Sequence, residues 1–497
     1  MNILEKTIAF FSPQTAAKRE AARQSMSRLQ SSRGYEAAQN SRRKALLNIN
    51  SSSAREVSKA TNILAADAQE ACRNNPLAQR VKMCWANSIV GKGITPEYKL
   101  GNKRSSDKVI KMLEMWASST DCDFDGVMNL AGLQWLWAAS VVETGGCFIR
   151  IHINRKLLSA GKFPLQFQTI EQTYLDKSKN DGDKIVDGLQ YNDLGQLEGY
   201  WLYTEESGLN ISGKQKSKYY KKGEELIHLY RRERAGQHLG VTWLAQVLTL
   251  LDKYNTLQDA VIMQQQIAAC LGVIVQEADT ALGTDGDGTE DRPDEIYPGS
   301  INYLKSSSTV TTVNPPKASD QGQLTAGIKN DIAAGVNLTY AQLTTDYSKF
   351  NFASGRMGKN DFFETLDHAQ YIMMLPCLDK IAGHISNILD LMLGKSVSIT
   401  WAFPARTMVN PKEDLDYIVS RVRSGLLSPS AAARMLGLKL EEVIEQWKKD
   451  KVIFGELPFD LDPSKFSSAG NQLDDNDAAS ANNPKKDDKG AKDATDE

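Results

Sequence analysis

From about residue 242 to residue 270 the chain contains no proline, and apolar side chains recur at Leu244, Val247, Leu248, Leu251, Tyr254, Leu257, Val261 and Ile262. This spacing places them on one face of a helix. At about 1.5 Å per residue such a helix reaches roughly 40 Å, which suits a strut. Upstream, a helical pattern over about 56 to 90 is interrupted at Arg73-Asn74-Asn75-Pro76-Leu77-Ala78. Proline is favourable at a helix start and unfavourable inside one, so two helices are expected to meet at Asn75. Val90-Gly91-Lys92-Gly93-Ile94-Thr95-Pro96 ends the second. Further helices are expected at about 105 to 118 and 129 to 142, the latter with Leu133, Leu136, Trp137 and Val141 on one face.

The period changes to two at Glu143-Thr144-Gly145-Gly146-Cys147-Phe148-Ile149-Arg150-Ile151. Strands are expected there and at 163 to 170, 185 to 191, 197 to 203 and 226 to 229, with Asp193-Leu194-Gly195 as a hairpin turn. Beyond the long helix come a strand at 271 to 276, a Gly/Asp-rich loop at 278 to 295, and strands at 301 to 304 and 309 to 313. A short helix at 323 to 334, a loop at 344 to 352, a helix over about 354 to 393 and a helical part at 411 to 450 follow. No internal repeat is visible.

The 497 residues suffice for two or three domains, or for one extended subunit of several parts. Charged content of 24% and apolar content of 41% are ordinary for a folded protein. No apolar run approaches the length of about 18 residues needed to span a bilayer, and no signal-peptide pattern opens the chain, so a cytoplasmic protein without a membrane partner is expected. Cys72, Cys84, Cys122, Cys147, Cys270 and Cys377 show no Cys-x-x-Cys pairing and are read as small hydrophobes.

The net charge of -2 hides an uneven distribution. Residues 1 to 55 carry ten Lys or Arg against three Glu, whereas the last thirty residues carry eight acids against four lysines. The basic arm can bind nucleic acid or remain a solvated helical extension, and the acidic tail lacks the apolar surface needed to fold.

Little in the chain suggests catalysis. Asp285-Gly286-Asp287-Gly288-Thr289-Glu290 opens like a calcium loop, but Glu290 stands where the turn glycine belongs and Ile296 where the bidentate glutamate belongs. A flexible acidic loop is the simpler reading. The Gly-x-Gly pairs at 91 and 93 and at 286 and 288 lack the rest of a dinucleotide site, and no phosphate loop is present. Five scattered histidines form no metal pattern, and His228 at a strand end reads as a satisfied structural residue. Arg231, Arg232 and Arg234 form the densest basic run of the folded part. They could hold phosphates without reading sequence, or pair with acids of a neighbouring subunit. No catalytic residue, metal ligand or cofactor is assigned.

The stretch His228-Leu229-Tyr230-Arg231-Arg232-Glu233-Arg234-Ala235-Gly236-Gln237-His238-Leu239-Gly240-Val241-Thr242-Trp243-Leu244, followed by the strut and Leu271-Gly272-Val273-Ile274, resembles the portal proteins of tailed bacteriophages, lambda family. The likeness also includes Arg73 to Ala78, Val90 to Ile94, Glu143 to Phe148, Phe352-Ala353-Ser354-Gly355-Arg356, Pro404, Val409-Asn410-Pro411-Lys412-Glu413 and Ser424-Gly425-Leu426-Leu427-Ser428. It spans roughly residues 56 to 450. No single piece is specific, but their order and spacing together are.

The resemblance implies an α+β portal fold of wing, stem, clip and helical crown, assembled as a dodecameric ring at one capsid vertex. Double-stranded DNA would pass without sequence specificity. Terminase, major capsid or scaffold protein and head-tail connector proteins would be partners, in host cytoplasm during assembly and then in the virion. By family position the parts are a basic arm (1 to 55), wing (56 to 241), stem helix (242 to 270), clip (271 to 318), second stem helix (319 to 335), wing with tunnel loop and helix (336 to 393), crown (394 to 460) and acidic disordered tail (461 to 497). The tunnel loop would line the channel with Tyr347, Ser348, Lys349, Phe350, Asn351 and Phe352. For a portal, the intersubunit role of Arg231, Arg232 and Arg234 is favoured, because a conduit that grips phosphate would stall DNA.

A nucleic-acid enzyme, such as a terminase or nuclease subunit, is the alternative. It would need grouped carboxylates for two metals or a phosphate loop, and neither pattern is present in the sequence. A generic capsid or head-tail adaptor protein would lack the strut.

Overall fold

The computed structural model describes residues 53–99, 103–182, 184–204, 216–270, 274–276, 302–304, 318–348, 351–394, 396–406, 410–438 and 440–455. The arm, the acidic tail, the loop at 278 to 295 with its calcium-like stretch, and the strand expected at 309 to 313 lie outside these residues.

Helices α1 (Ser53–Asn74) and α2 (Pro76–Val90) meet at Asn75, as the sequence pattern implies. Asn75 caps α2 by accepting from the amides of Leu77 and Ala78, and Pro76 occupies a first-turn position where no amide is needed. Strand β1 (Thr95–Lys99), helix α3 (Lys103–Ser118) and helix α4 (Leu130–Thr144) follow. Helix α4 is apolar on most sides, as a central helix must be, and packs against α2.

Strand β2 (Gly146–Ile153) leads through the short α5 (Arg155–Ser159) to β3 (Leu165–Glu171). The stretch read as one strand at 185 to 191 is instead a hairpin of β4 (Ile185–Val186) and β5 (Leu189–Tyr191). Asp187 and Gly188 both adopt positive φ, at 50° and 77°, which is what a tight two-residue hairpin turn requires. Strands β6 (Leu197–Tyr203), β7 (Ser217–Lys221) and β8 (Leu226–Tyr230) complete the region, with β7 absent from the sequence reading. Two antiparallel sheets result, ordered β3-β2-β8 and β4-β5-β6-β7.

The long helix α6 covers Leu248–Cys270, shorter at its start than the expected 242 to 270. Thr242 and Trp243 are held as a turn against the C-terminal end of α4: the Thr242 hydroxyl and the Trp243 amide both donate to the Val142 carbonyl, at 3.0 and 3.1 Å. That carbonyl is one of those a helix leaves unpaired in its last turn. The remaining 23 residues give a rod of about 35 Å. Strands β9 (Ile274–Gln276) and β10 (Asn302–Leu304) pair in parallel. Helix α7 (Ala318–Gly335) then returns beside α6, with Lys329 over the Tyr254 ring at 5.7 Å and Gly335 against Val247.

Helix α8 (Tyr340–Thr344) precedes a continuous helical run. The expected helix over 354 to 393 is resolved into α9 (Phe352–His368), a π-helical turn (Ala369–Met374) and α10 (Leu375–Leu393). Pro376 explains the break, since its ring crowds the carbonyl four residues back and the wider turn gives it room. Strand β11 (Ser398–Ala402) pairs with β1, so Thr95 faces Ala402. Helices α11 (Pro411–Arg423), α12 (Pro429–Met435) and α13 (Leu440–Phe454) divide the expected helical part at Gly425 and Gly437, both of positive φ.

One large core joins distant segments. Trp85 of α2 lies edge-on to Trp243 at 4.7 Å, touches Phe362 of α9 at 5.2 Å and donates to the Val336 carbonyl at 3.0 Å. A smaller core around Phe148, Tyr200, Leu202 and Leu239 fills the space beneath the four-stranded sheet.

Candidate functional site

The expected tunnel segment lies between two capped helices. Thr339 and Gln342 form a reciprocal capping box that starts α8, and Thr345 ends it in the left-handed conformation at φ 59°. The Asp346 carboxylate then accepts from the Ser348 amide and hydroxyl, at 3.0 and 2.6 Å. Tyr347 between them is 64% exposed. Lys349 and Phe350 lie outside the described residues. Asn351 caps α9 through a second reciprocal box with Ser354, and Phe352 is the first helical residue. The segment is thus a short connection whose ends are fixed, with Tyr347 and Ser348 facing outward.

The three arginines are not equivalent. Arg231 pairs with Glu233 and stacks over the Trp243 ring at 4.3 Å. Arg234 pairs with Glu56 of α1. Arg232 is exposed and contacts the Arg234 carbonyl through Nε at 3.4 Å. Their loop is folded around the buried Gln237, whose Oε1 accepts from the amides of Glu233 and Arg234 at 2.8 and 3.1 Å and whose Nε2 donates to the Leu239 carbonyl at 2.9 Å.

Below the loop is a buried polar clamp that the sequence reading did not find. Gln172 Oε1 accepts from the Gly240 amide at 2.8 Å, and its Nε2 donates to the Gly240 carbonyl at 3.0 Å. The same Oε1 lies 3.1 Å from His228 Nε2. A carbonyl oxygen can only accept, so Nε2 carries the proton and Nδ1 accepts from the Tyr200 hydroxyl at 3.2 Å. His228 is therefore the satisfied structural residue expected. Gly145 and Gly240 meet at the clamp, where a Cβ on Gly240 would fall 1.9 Å from the Gly145 carbonyl oxygen. No side chain fits there, which accounts for both glycines.

Burial, then Lys222, Lys380 and His238, hold the His228 imidazole well below its ordinary value. Its neutral form is stable when folded, while the unfolded imidazole takes up a proton below about pH 6.5. Stability is therefore full above that pH and is lost as pH falls below it, by up to about 1.4 kcal/mol per unit. Urea unfolding at pH 7 and pH 5 should show this loss, and His228→Phe should make it shallower.

Burial likewise raises the Cys72 thiol to about 11 and those of Cys122 and Cys377 to about 12, so none serves as a ready thiolate. Cys84 is half-buried, and the Cys270 side chain lies outside the described residues. Among the described residues no cluster of His, Cys, Asp or Glu is arranged to hold a metal ion, and no helix is long and apolar enough to cross a membrane.

The sequence matches the family model of phage portal proteins of the lambda family over residues 40–370. The chain belongs to that family. A probable portal protein of the Halomonas phage phiHAP-1 is 22% identical over 416 residues, covering 77% of this portal protein and 79% of the relative. Among solved structures, it is similar to chains from the virion of a native gene transfer agent particle (13% identity, TM-score 0.43, covering 76% and 93% of the two chains). It is also similar to chains from the neck of the empty particle (13%, 0.45, 75% and 94%) and of the native particle (12%, 0.42, 76% and 99%). The function is that of a portal protein, the channel for phage DNA in packaging and ejection. The stretch from His228 to Leu244, with its buried Gln237 and Gly240, falls inside the family match and forms the junction at the foot of the long helix.

Proposed function

We propose that this portal protein closes head-to-tail into a dodecameric ring at the capsid vertex, with α6 and α7 as the two stem helices of each subunit. The observation that carries this reading is the pair of helices itself. Among the described side chains of α6 (248 to 266) only Leu251 is fully buried, Tyr254, Leu257, Val261 and Gln264 are half-buried, and Ile262 and Met263 are more than half exposed. A rod so poorly covered by its own chain gains from a neighbour, and a head-to-tail rotation repeats that cover around a ring.

In this reading residues 56 to 241 and 336 to 393 form the wing, 271 to 318 the clip that docks terminase and later the connector proteins, and 394 to 460 the crown. Capsid or scaffold protein surrounds the ring, which is built in the host cytoplasm and retained in the virion. Arg231 and Arg234, paired within the chain, are available to a neighbour only by exchanging partners.

Tyr347 to Phe352 line the narrowest part of the channel. One cation among aromatic and amide groups makes a weak contact with DNA that is blind to sequence. Deleting Lys349 to Asn351 should leave rings with a central hole in negative-stain images, while packaging or DNA retention falls. Compact monomers from the unaltered protein would defeat the ring, and normal phage yield from the deletion would defeat the loop assignment alone.

A further inference from the structure

The segment that follows β11 is fixed by two close approaches. Gly91, at the end of α2, lies so near Pro404 that a Cβ there would fall 2.8 Å from the proline Cβ. Gly437, just after α12, packs against Ala405, with 3.0 Å left for a Cβ. Together with α9, its π-helical turn, α11 and α12, this segment lines a cleft of about 1080 Å³. That exceeds the roughly 300 to 1,000 Å³ of small-molecule pockets and suits a stretch of polypeptide.

The lining is aromatic and carries excess positive charge. Phe363, Tyr371, Trp401, Phe403 and Tyr417 supply rings, of which Tyr371 and Tyr417 remain 54% and 61% exposed. Arg356, Arg406 and Arg434 stand there against Asp367 and Asp414. Arg406 pairs with Asp367 and lies over the Phe363 ring at 5.0 Å, and Arg356 spans Glu413 and Asp414 at 3.2 and 3.4 Å. Arg434 is exposed and adds its charge to theirs. Rings gain by covering apolar side chains, and guanidinium groups gain by meeting carboxylates. A chain that alternates the two kinds of side chain matches both.

Such an alternation stands shortly after Gly455, where the described chain ends. It reads Phe459-Asp460-Leu461-Asp462-Pro463-Ser464-Lys465-Phe466. Pro458 and Pro463 oppose a helix across it, and a period of two puts Phe459 and Leu461 on one side with Asp460 and Asp462 on the other. The reach is sufficient. Helix α13 leaves the turn at Gly437, beside Ala405 of the cleft, and its 15 residues rise about 22 Å. Residues 456 to 466, at roughly 3.3 to 3.6 Å each, span up to about 36 to 40 Å, so they return past the whole rod in whichever direction it points. The N-terminal arm, with ten Lys or Arg against three Glu, has the wrong sign for the same lining.

We propose that residues 459 to 466 dock into this cleft of their own chain. Phe459, Leu461 and Phe466 cover the rings, while Asp460 and Asp462 face the arginines. Tethering holds the segment at an effective concentration on the order of mM, so contacts too weak for a separate peptide are enough. The docking closes an apolar surface within one subunit and goes beyond the ring reading without resting on it.

Photocrosslinking of the full-length protein, with p-benzoyl-phenylalanine at position 417, tests the occupant. Mass spectrometry should find the link on residues 456 to 467 of the same chain. A link to the arm, a product containing two chains, or no link overturns the proposal. Binding gives an independent reading. A fluorescent peptide of residues 456 to 467 should bind the full-length F459A/L461A/F466A variant, whose cleft is vacated, at least about tenfold more tightly than the wild type, whose cleft is filled. Adding Arg434→Glu, on an exposed side chain, should weaken that binding with thermal unfolding unchanged. Equal binding to wild type and triple variant, or binding to neither, overturns the proposal. Neither readout depends on ring formation, so a failure here leaves the portal assignment standing.

Discussion

Changing Leu257 to proline should yield soluble monomers of nearly native helix content and no rings. Leu257 lies inside α6 and is only half-buried, so the chain's own core does not depend on it. Proline there removes one helix hydrogen bond and crowds the carbonyl of Lys253, at a cost of about 3 kcal/mol or more in each subunit. In a closed ring the distorted rod recurs at every interface, and assembly should fail before the monomer unfolds. Size-exclusion chromatography with light scattering reads the mass, and circular dichroism reads the helix content. Rings of wild-type mass from this variant would show that α6 is not an assembly strut.

A second large effect is expected at Gly145. Its φ of 95° is one that a side chain rarely adopts, and an added Cβ would stand 2.6 to 2.7 Å from the Gly240 and Val241 backbone. Neither neighbour can yield, because Gly240 is clamped on both sides by Gln172 and the next turn is bonded to Val142. Gly145→Ala should therefore cost more than about 3 kcal/mol, combining backbone strain with overpacking. Urea denaturation should show a lower midpoint, or the variant should fail to accumulate as soluble protein. A midpoint equal to wild type would mean that the sheet and the long helix are not joined through this contact.

The Gly145 effect arises at the junction between β8 and α6, whose parts were legible in the sequence to different degrees. Gly145, Gly146 and Gly240 stand out among periodic residues, and glycines there imply a turn or a close approach. The glutamines that complete the junction do not stand out. Gln172 and Gln237 look like surface residues in one dimension, and Gln134 and Gln370 do too. Yet Gln134 bonds both the amide and the carbonyl of Ile94, at 2.8 and 3.0 Å, and Gln370 donates to the Ile89 carbonyl at 2.9 Å. Each satisfies backbone groups left over at an element's end, and which groups are left over is known only once the elements have packed.

Local pattern by itself determined the elements that are long or sharply capped. The α1–α2 break at Asn75-Pro76, the central helix α4, strands β2 and β6, and the existence of the strut all follow from short-range pattern and from Pro and Asn at caps. The order of those motifs also identified the family. Tertiary structure decided the rest. Residues 242 to 247 have helical spacing but become a turn because Val142 offers them a better partner. Strands β1 and β11 lie about 300 residues apart, and each exists because the other supplies its hydrogen bonds. The docking of α10 on the β7–β8 turn, through His384 and the Gly223 carbonyl, is likewise a product of tertiary packing. Periodicity encodes what a residue's neighbours along the chain can satisfy, whereas pairing and charge balance depend on which distant groups the folded core brings within reach.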